Sequence, residues 1–218
     1  MGAVFHSNNR FIDFFSNVAN LIILNLLWIL CCIPIVTIVP STAAMYYVTL
    51  KMVKKEDPYI IRSFFRSFRD NFKQGVVLSV IFLVLAGVLY ADIKILQKFS
   101  SEFHQVLLTV SYVVCALGFI TMAYVCPLLS YFQNTVAATL KNAVILALTH
   151  PLKTVILLIM NLLPFLLLMF FPDVFALSLF LWAVLGFSSI ALVNSTLLSK
   201  LFKKYEPKEL TEVADRSY

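Results

Sequence analysis

Long apolar stretches separated by short polar ones set the pattern of this chain. Five segments run without Asp, Glu, Lys or Arg: Val18 to Val39, Gly75 to Ala91, Val106 to Cys126, Thr154 to Phe171 and Val174 to Leu198. A bilayer's hydrocarbon core of about 30 Å is crossed by roughly 17–25 helical residues, and each segment meets that length. The pattern predicts an all-α, polytopic transmembrane helical protein of about five spans, one domain over residues 1–199, with a short tail over 200–218.

The first apolar run has an internal weak point. Pro34 removes the donor that would bond the Leu30 carbonyl, and Pro40 follows six residues later with Thr37 between them. A break in the helix is expected over Pro34, Thr37 and Pro40. The following STAAMYYVTLKMV is apolar but short, and two readings of it stand. As an interfacial helix it leaves five spans with the N-terminus outside; as a short returning span it gives six with both ends inside. Further on, TVAATLKNAVILALTH sets Val136, Leu140, Ala143, Val144 and Ala147 on one helical face and predicts a second surface helix that ends near Pro151.

The stretch RSFFRSFRDNFKQ, residues 62 to 74, differs in kind. Wound at about 100° per residue, Arg62, Arg66, Arg69 and Lys73 fall within roughly 60°, beside an arc of roughly 100° that holds Phe64, Phe65, Phe68 and Phe72. A helix with a greasy face and a cationic flank suits a membrane surface, a partner's groove or nucleic acid.

Charge narrows those choices. Lys plus Arg number seven in residues 40–74, two in 92–105, two in 127–153 and five in 199–218, so the 40–74 loop and the tail are expected in the cytoplasm. Membrane lipids and a protein partner remain as ligands of the basic helix, and nucleic acid drops out for want of any recognition motif. Composition agrees with a membrane address: 61% of the 218 residues are hydrophobic and 13% are charged. The first run exceeds a leader's apolar core and is read as a retained span. Neither MGAVFH nor ADRSY carries a lipidation signal.

The search for chemistry returns little. Glycines stand at positions 2, 75, 87, 118 and 186 only, so no phosphate-cradling loop can be built. Metalloprotease, nucleophile-elbow and C-x-x-C patterns are missing, and Cys31, Cys32, Cys115 and Cys126 with His6, His104 and His150 make no zinc set. The expectation is a protein that is no enzyme and needs no cofactor. The intramembrane polar residues are Asn20, Asn25, Thr37, Ser79, Asn161, Ser188, Ser189, Asn194 and Ser195, which suit hydrogen bonding between helices or the lining of a polar path.

From Asn9 onward the order of motifs resembles the YesL family of small Gram-positive membrane proteins. The likeness rests on Asn25 to Trp28 (NLLW), Pro34 to Ile38 with Pro40, Tyr46 to Lys51 (YYVTLK), Phe64 to Phe72, and Thr139 to Pro151. Val39 departs from the pattern, which has Gly before the second proline. The resemblance implies a bacterial cell-membrane protein whose genes lie beside carbohydrate ABC importer permeases. It implies no catalytic residue. An accessory subunit associated with carbohydrate import, docking on permease subunits, is the leading expectation; a stand-alone transporter or channel and a membrane-bound regulator are the rivals.

Overall fold

A computed structural model describes residues 3–56, 59–97, 102–170 and 179–205. The described residues are helical, with no strand among them: α1 (Ala3–Cys32), α2 (Ile38–Val53), α3 (Ile60–Asp70), α4 (Phe72–Leu96), α5 (Glu102–Tyr131), α6 (Val136–Thr149), α7 (Pro151–Phe170) and α8 (Leu179–Phe202). Residues 171–178, which end the fourth apolar segment and open the fifth, and the tail beyond Tyr205 lie outside the described residues.

Helix α2 is the hub, although it is the segment whose length made it ambiguous. It packs against α1, α3, α4, α5 and α8, and Val39, Ala43, Ala44 and Val48 are fully or almost fully buried. Small residues at Ser41, Ala43 and Ala44 let neighbouring backbones approach. The outer helices show the reverse pattern. In α4 the buried residues are Gly75, Leu78 and Ser79, whereas Val80, Val84 and Val88 stand exposed. Apolar side chains turned outward around a tightly packed centre are what a hydrocarbon solvent requires.

The break between α1 and α2 forms as expected, with different bonding. A single 3₁₀ turn, Ile35–Thr37, joins the helices. Thr37 Oγ1 donates to the carbonyls of Cys31 (2.5 Å) and Pro34 (2.6 Å) rather than to Leu30, whose carbonyl takes a long bond from Ile33 N (3.5 Å). Pro40 lies in the first turn of α2, where a missing N–H costs no helix bond, so it starts a helix instead of breaking one. Across the turn Trp28 Nε1 donates to Thr42 Oγ1 at 3.0 Å, so α2 folds back along α1 as a hairpin.

Five helical stretches are individually long and apolar enough to cross a membrane, and they include Ile35–Val53. Residues 154–171 enter differently: α6 and α7 form a pair bent by 107° at His150, which raises the count to six if the pair is one span. Of the two readings open in the sequence, the hairpin fits the one in which α2 returns and both termini lie on one side. The ends of α2, α5 and α8 meet: Lys54 lies over the Tyr131 ring at 4.7 Å, and Tyr131 and Phe132 pack on Phe202 at 5.0 and 5.5 Å. Cysteines placed singly at positions 8 and 69 of a Cys-free variant are therefore expected to resist an impermeant reagent in intact cells. Labelling of position 8 alone would reverse α1.

The intramembrane polar residues mostly join helices. Thr49 and Ser195 hydroxyls meet at 2.8 Å, Ser188 Oγ donates to Leu21 O at 2.9 Å, and Tyr124 OH pairs with Thr154 Oγ1 at 2.9 Å.

Candidate functional site at the cationic end

The basic aromatic stretch is built from two helices, not one. Asn71 ends α3: its Nδ2 turns back to Ser67 O at 3.0 Å, while its own carbonyl accepts from Gly75 N at 2.8 Å in the next helix. Side-chain amides compete with the backbone in this way, which is why Asn disfavours helix interiors. Phe72 and Lys73 consequently belong to the start of α4.

The phenylalanines divide between inside and outside. Phe64 is fully buried against α2, together with Ile60 and Ser67, and Phe68 packs against the same core. Phe65 (47% exposed) and Phe72 (41%) face out. The rings form a chain: Phe64 meets Phe65 edge-on at 5.7 Å and stacks on Phe68 at 6.3 Å, which meets Phe72 at 5.5 Å. Such contacts add stiffness worth about 0.5–1.5 kcal/mol per pair beyond area burial. Arg62, Arg66, Arg69 and Lys73 are all exposed. Arg66 Nε lies 3.9 Å from Asp70 Oδ2, a surface pair worth about 0–1 kcal/mol, so it leaves the arginine available.

Tyr59 (81% exposed) and Ile61 (56%) extend the apolar patch, and the sequence reading missed both. The signal was present: once Phe64 faces inward, Ile60 must face inward too and Ile61 outward. Beside α3 a polar cavity of about 590 Å³ opens between Tyr47, Arg66, Asp70 and Gln74 and the loop residues Gln133 and Asn134. Lys51 lies over the Tyr47 ring at 5.1 Å. The face thus offers planar cations, aromatic rings and carboxamides on a rigid backing. Such a surface can bind carboxylates and peptide groups by bidentate and stacking contacts.

The second predicted surface helix, α6, buries Thr139, Ala143, Leu146 and Ala147, while Val144 faces outward. Its corner with α7 is tied by His150 Nε2 to Tyr205 OH at 3.1 Å. Desolvation, then Lys153 and Lys204, hold that imidazole below its ordinary pKa. Among the described residues no three His, Cys, Asp or Glu side chains come together.

Residues 21–93, from the middle of α1 through α4, match a family model described as protein of unknown function, DUF624. That span holds the hairpin and the α3–α4 part of the candidate face. The chain is 27% identical over 143 residues to "Uncharacterized protein YesL" of Bacillus subtilis (strain 168), which covers 64% of this chain and 67% of that protein. It is 22% identical over 199 residues to "Uncharacterized protein YteU" of the same organism, covering 89% and 88%. The chain is thus similar to the YesL family, in the hairpin and the α3–α4 region above all. The motifs that carry this likeness fall on working parts of the fold: NLLW lies in the last turns of α1 before the hairpin, YYVTLK lies in the buried α2, and F-F-x-x-F-x-x-N-F spans the α3–α4 corner. No solved structure matches.

Proposed function

We propose that this membrane protein is a non-enzymatic accessory subunit of a carbohydrate ABC importer in the bacterial cell membrane. It docks on the permease through the cationic end. The observation that supports this reading most is the way α3 is mounted. Phe64 and Ile60 fix one side of the helix in the core, Ile61 and Phe65 with Arg62, Arg66 and Arg69 are left exposed, and Phe72 and Lys73 at the start of α4 extend that exposed surface. A helix that only rests on anionic lipid gains about 1 kcal/mol per nearby cation and needs no rigid backing. A docking helix profits from being held, because less entropy is lost on association. The genomic company implied by the family resemblance supplies the class of partner.

The test uses a defined pair, this protein co-expressed with a neighbouring importer permease. Phe65→Ala with Phe72→Ala is expected to reduce co-purification at least tenfold while the protein still accumulates in the membrane, since both rings lie outside the core. Replacing Arg62, Arg66 and Arg69 with Lys should weaken it as well, because lysine lacks the planar fork. Undiminished co-purification in both variants would leave α3 as a lipid anchor and remove this docking surface. Flux of a sugar through liposomes that hold this protein alone would promote the stand-alone transporter instead.

A further inference from the structure

Among the spans, and apart from the α3 face, a cleft of about 250 Å³ lies between α1, α2, α5, α7 and α8. Its walls are largely apolar, with Trp28, Phe119, Met122 and Phe187 prominent, and no Lys, Arg, Asp or Glu lines it. For scale, an apolar cavity of about 150 Å³ stays free of water and takes up benzene. A larger apolar cleft among membrane spans calls for an apolar occupant.

One end of the cleft is polar. Tyr46 and Asn161 line it, and Asn194 stands behind them, fully buried. Asn194 Nδ2 donates to Tyr46 OH at 3.2 Å and, over a long 3.5 Å, to Asn161 Oδ1. Those bonds use acceptors only. The Tyr46 hydroxyl proton and the Asn161 Nδ2 group have no acceptor among the described residues, and Asn194 Oδ1 is buried without a donor. Donors left open in hydrocarbon are costly, so the arrangement asks for a polar atom delivered inside an apolar molecule. That atom must be uncharged. Asn194 lies about 12 Å along α8 from Phe202, well inside the end of the bundle, where an ionic head has no counter-charge.

We propose that this cleft binds an uncharged lipid, its hydroxyl or ester carbonyl held by Tyr46 and Asn161 and its chain seated against Trp28, Phe119 and Phe187. A hydroxyl fits best, since it accepts from these donors and offers a proton in return. The protein would then hold a neutral membrane lipid as a fixed ligand, a role independent of whether α3 docks on a permease.

The experiment places the full-length protein in nanodiscs with a diacylglycerol that carries a diazirine in its chain, beside a phosphatidylglycerol with the same chain. Photolysis and peptide mapping should show the neutral probe on the segment Phe119–Cys126 or at Phe187. Labelling there is expected to be at least fivefold above that by the anionic probe and to fall as unlabelled diacylglycerol is added. Tyr46→Phe removes one donor without changing the packing, and Asn161→Leu removes the other; each should cut site labelling severalfold while labelling of the outer face of α4 stays constant. Equal labelling by both probes, or no competition, would mean that bulk bilayer chains or water occupy the cleft and would overturn the proposal. Labelling unchanged in both variants would do the same.

Discussion

Replacing Asn25 with Leu is expected to destabilise the protein by about 2–5 kcal/mol, an effect out of proportion to one exposed-looking asparagine in an apolar run. The side chain is fully buried and serves three backbone groups of α8 at once. Its Nδ2 donates to the carbonyls of Trp182 (3.1 Å) and Ala183 (2.6 Å), and its Oδ1 accepts from Ser188 N (2.9 Å). Those groups need help because α8 widens into a π turn over Trp182–Gly186, which shifts the helix bonding and strands polar groups. The Trp182 ring lies over Gly186, so the widened turn also depends on a residue without a side chain. In water stranded groups would find solvent; in hydrocarbon they go unpaired.

The magnitude lies between two limits. Each unsatisfied buried group costs about 1–3 kcal/mol, but interhelical bonds in membrane proteins average about 0.6 kcal/mol because the unfolded chain also finds partners. Three groups in one place put the sum toward the upper side. Asn25→Asp should be worse still, since it loses the donor and sets a carboxylate against two carbonyls. Asn20→Leu is the control: the residue is half-buried, on the same helix, and shares none of this bonding. Unfolding by denaturing detergent, followed by circular dichroism, separates the three variants. Equal midpoints for wild type and Asn25→Leu would show that the π turn does not rely on α1.

How far the sequence revealed this arrangement depends on which interaction is asked about. Apolar length revealed the helices, because the cost of unpaired backbone in lipid leaves little choice. The break in the helix was legible at Pro34. Its consequence was not, since the 13 residues from Ser41 to Val53 are too few to read as a span by hydropathy alone, and what makes α2 central is the small residues that let neighbouring helices approach. Interhelical polar bonds were expected as a class, but nothing local pairs Asn25 with Trp182 across 157 positions.

The candidate face was legible in composition and not in orientation. A helical wheel gave Phe64, Phe65, Phe68 and Phe72 one shared face, because it treated residues 62–74 as a continuous helix and had no means to say which side met α2. Asn71 was the missed signal: a short amide four residues after Ser67 ends the helix and turns Phe72 outward. The lipid cleft had no sequence signature at all. Tyr46, Asn161 and Asn194 lie on three helices and meet only through packing.

Two glycines of one helix should respond to alanine with opposite signs. At Gly75 an added Cβ would come within 2.7 Å of Pro40 Cβ, 2.8 Å of Pro40 Cδ and 2.9 Å of Pro40 Cα. A proline ring cannot rotate away, and one of those atoms is backbone, so α4 and α2 must separate. Separation has a second cost. Ser79 Oγ, one turn further along α4, accepts from Val39 N at 3.2 Å and so caps an orphan donor in the first turn of α2. Gly75 and Ser79 are four apart, the small-xxx-small spacing that lets two membrane helices touch. Gly75→Ala is therefore expected to lose about 1–3 kcal/mol through overpacking, more than the roughly 1 kcal/mol that alanine returns in helix propensity, and Gly75→Leu should prevent the native packing of α2. At Gly87 a Cβ meets nothing within 4 Å. There only the backbone term acts, and Gly87→Ala should stabilise by about 0.5–1 kcal/mol. Detergent unfolding of the two variants side by side measures the difference. A Gly75→Ala protein as stable as Gly87→Ala would show that the close approach of α4 to Pro40 does not hold α2 in place.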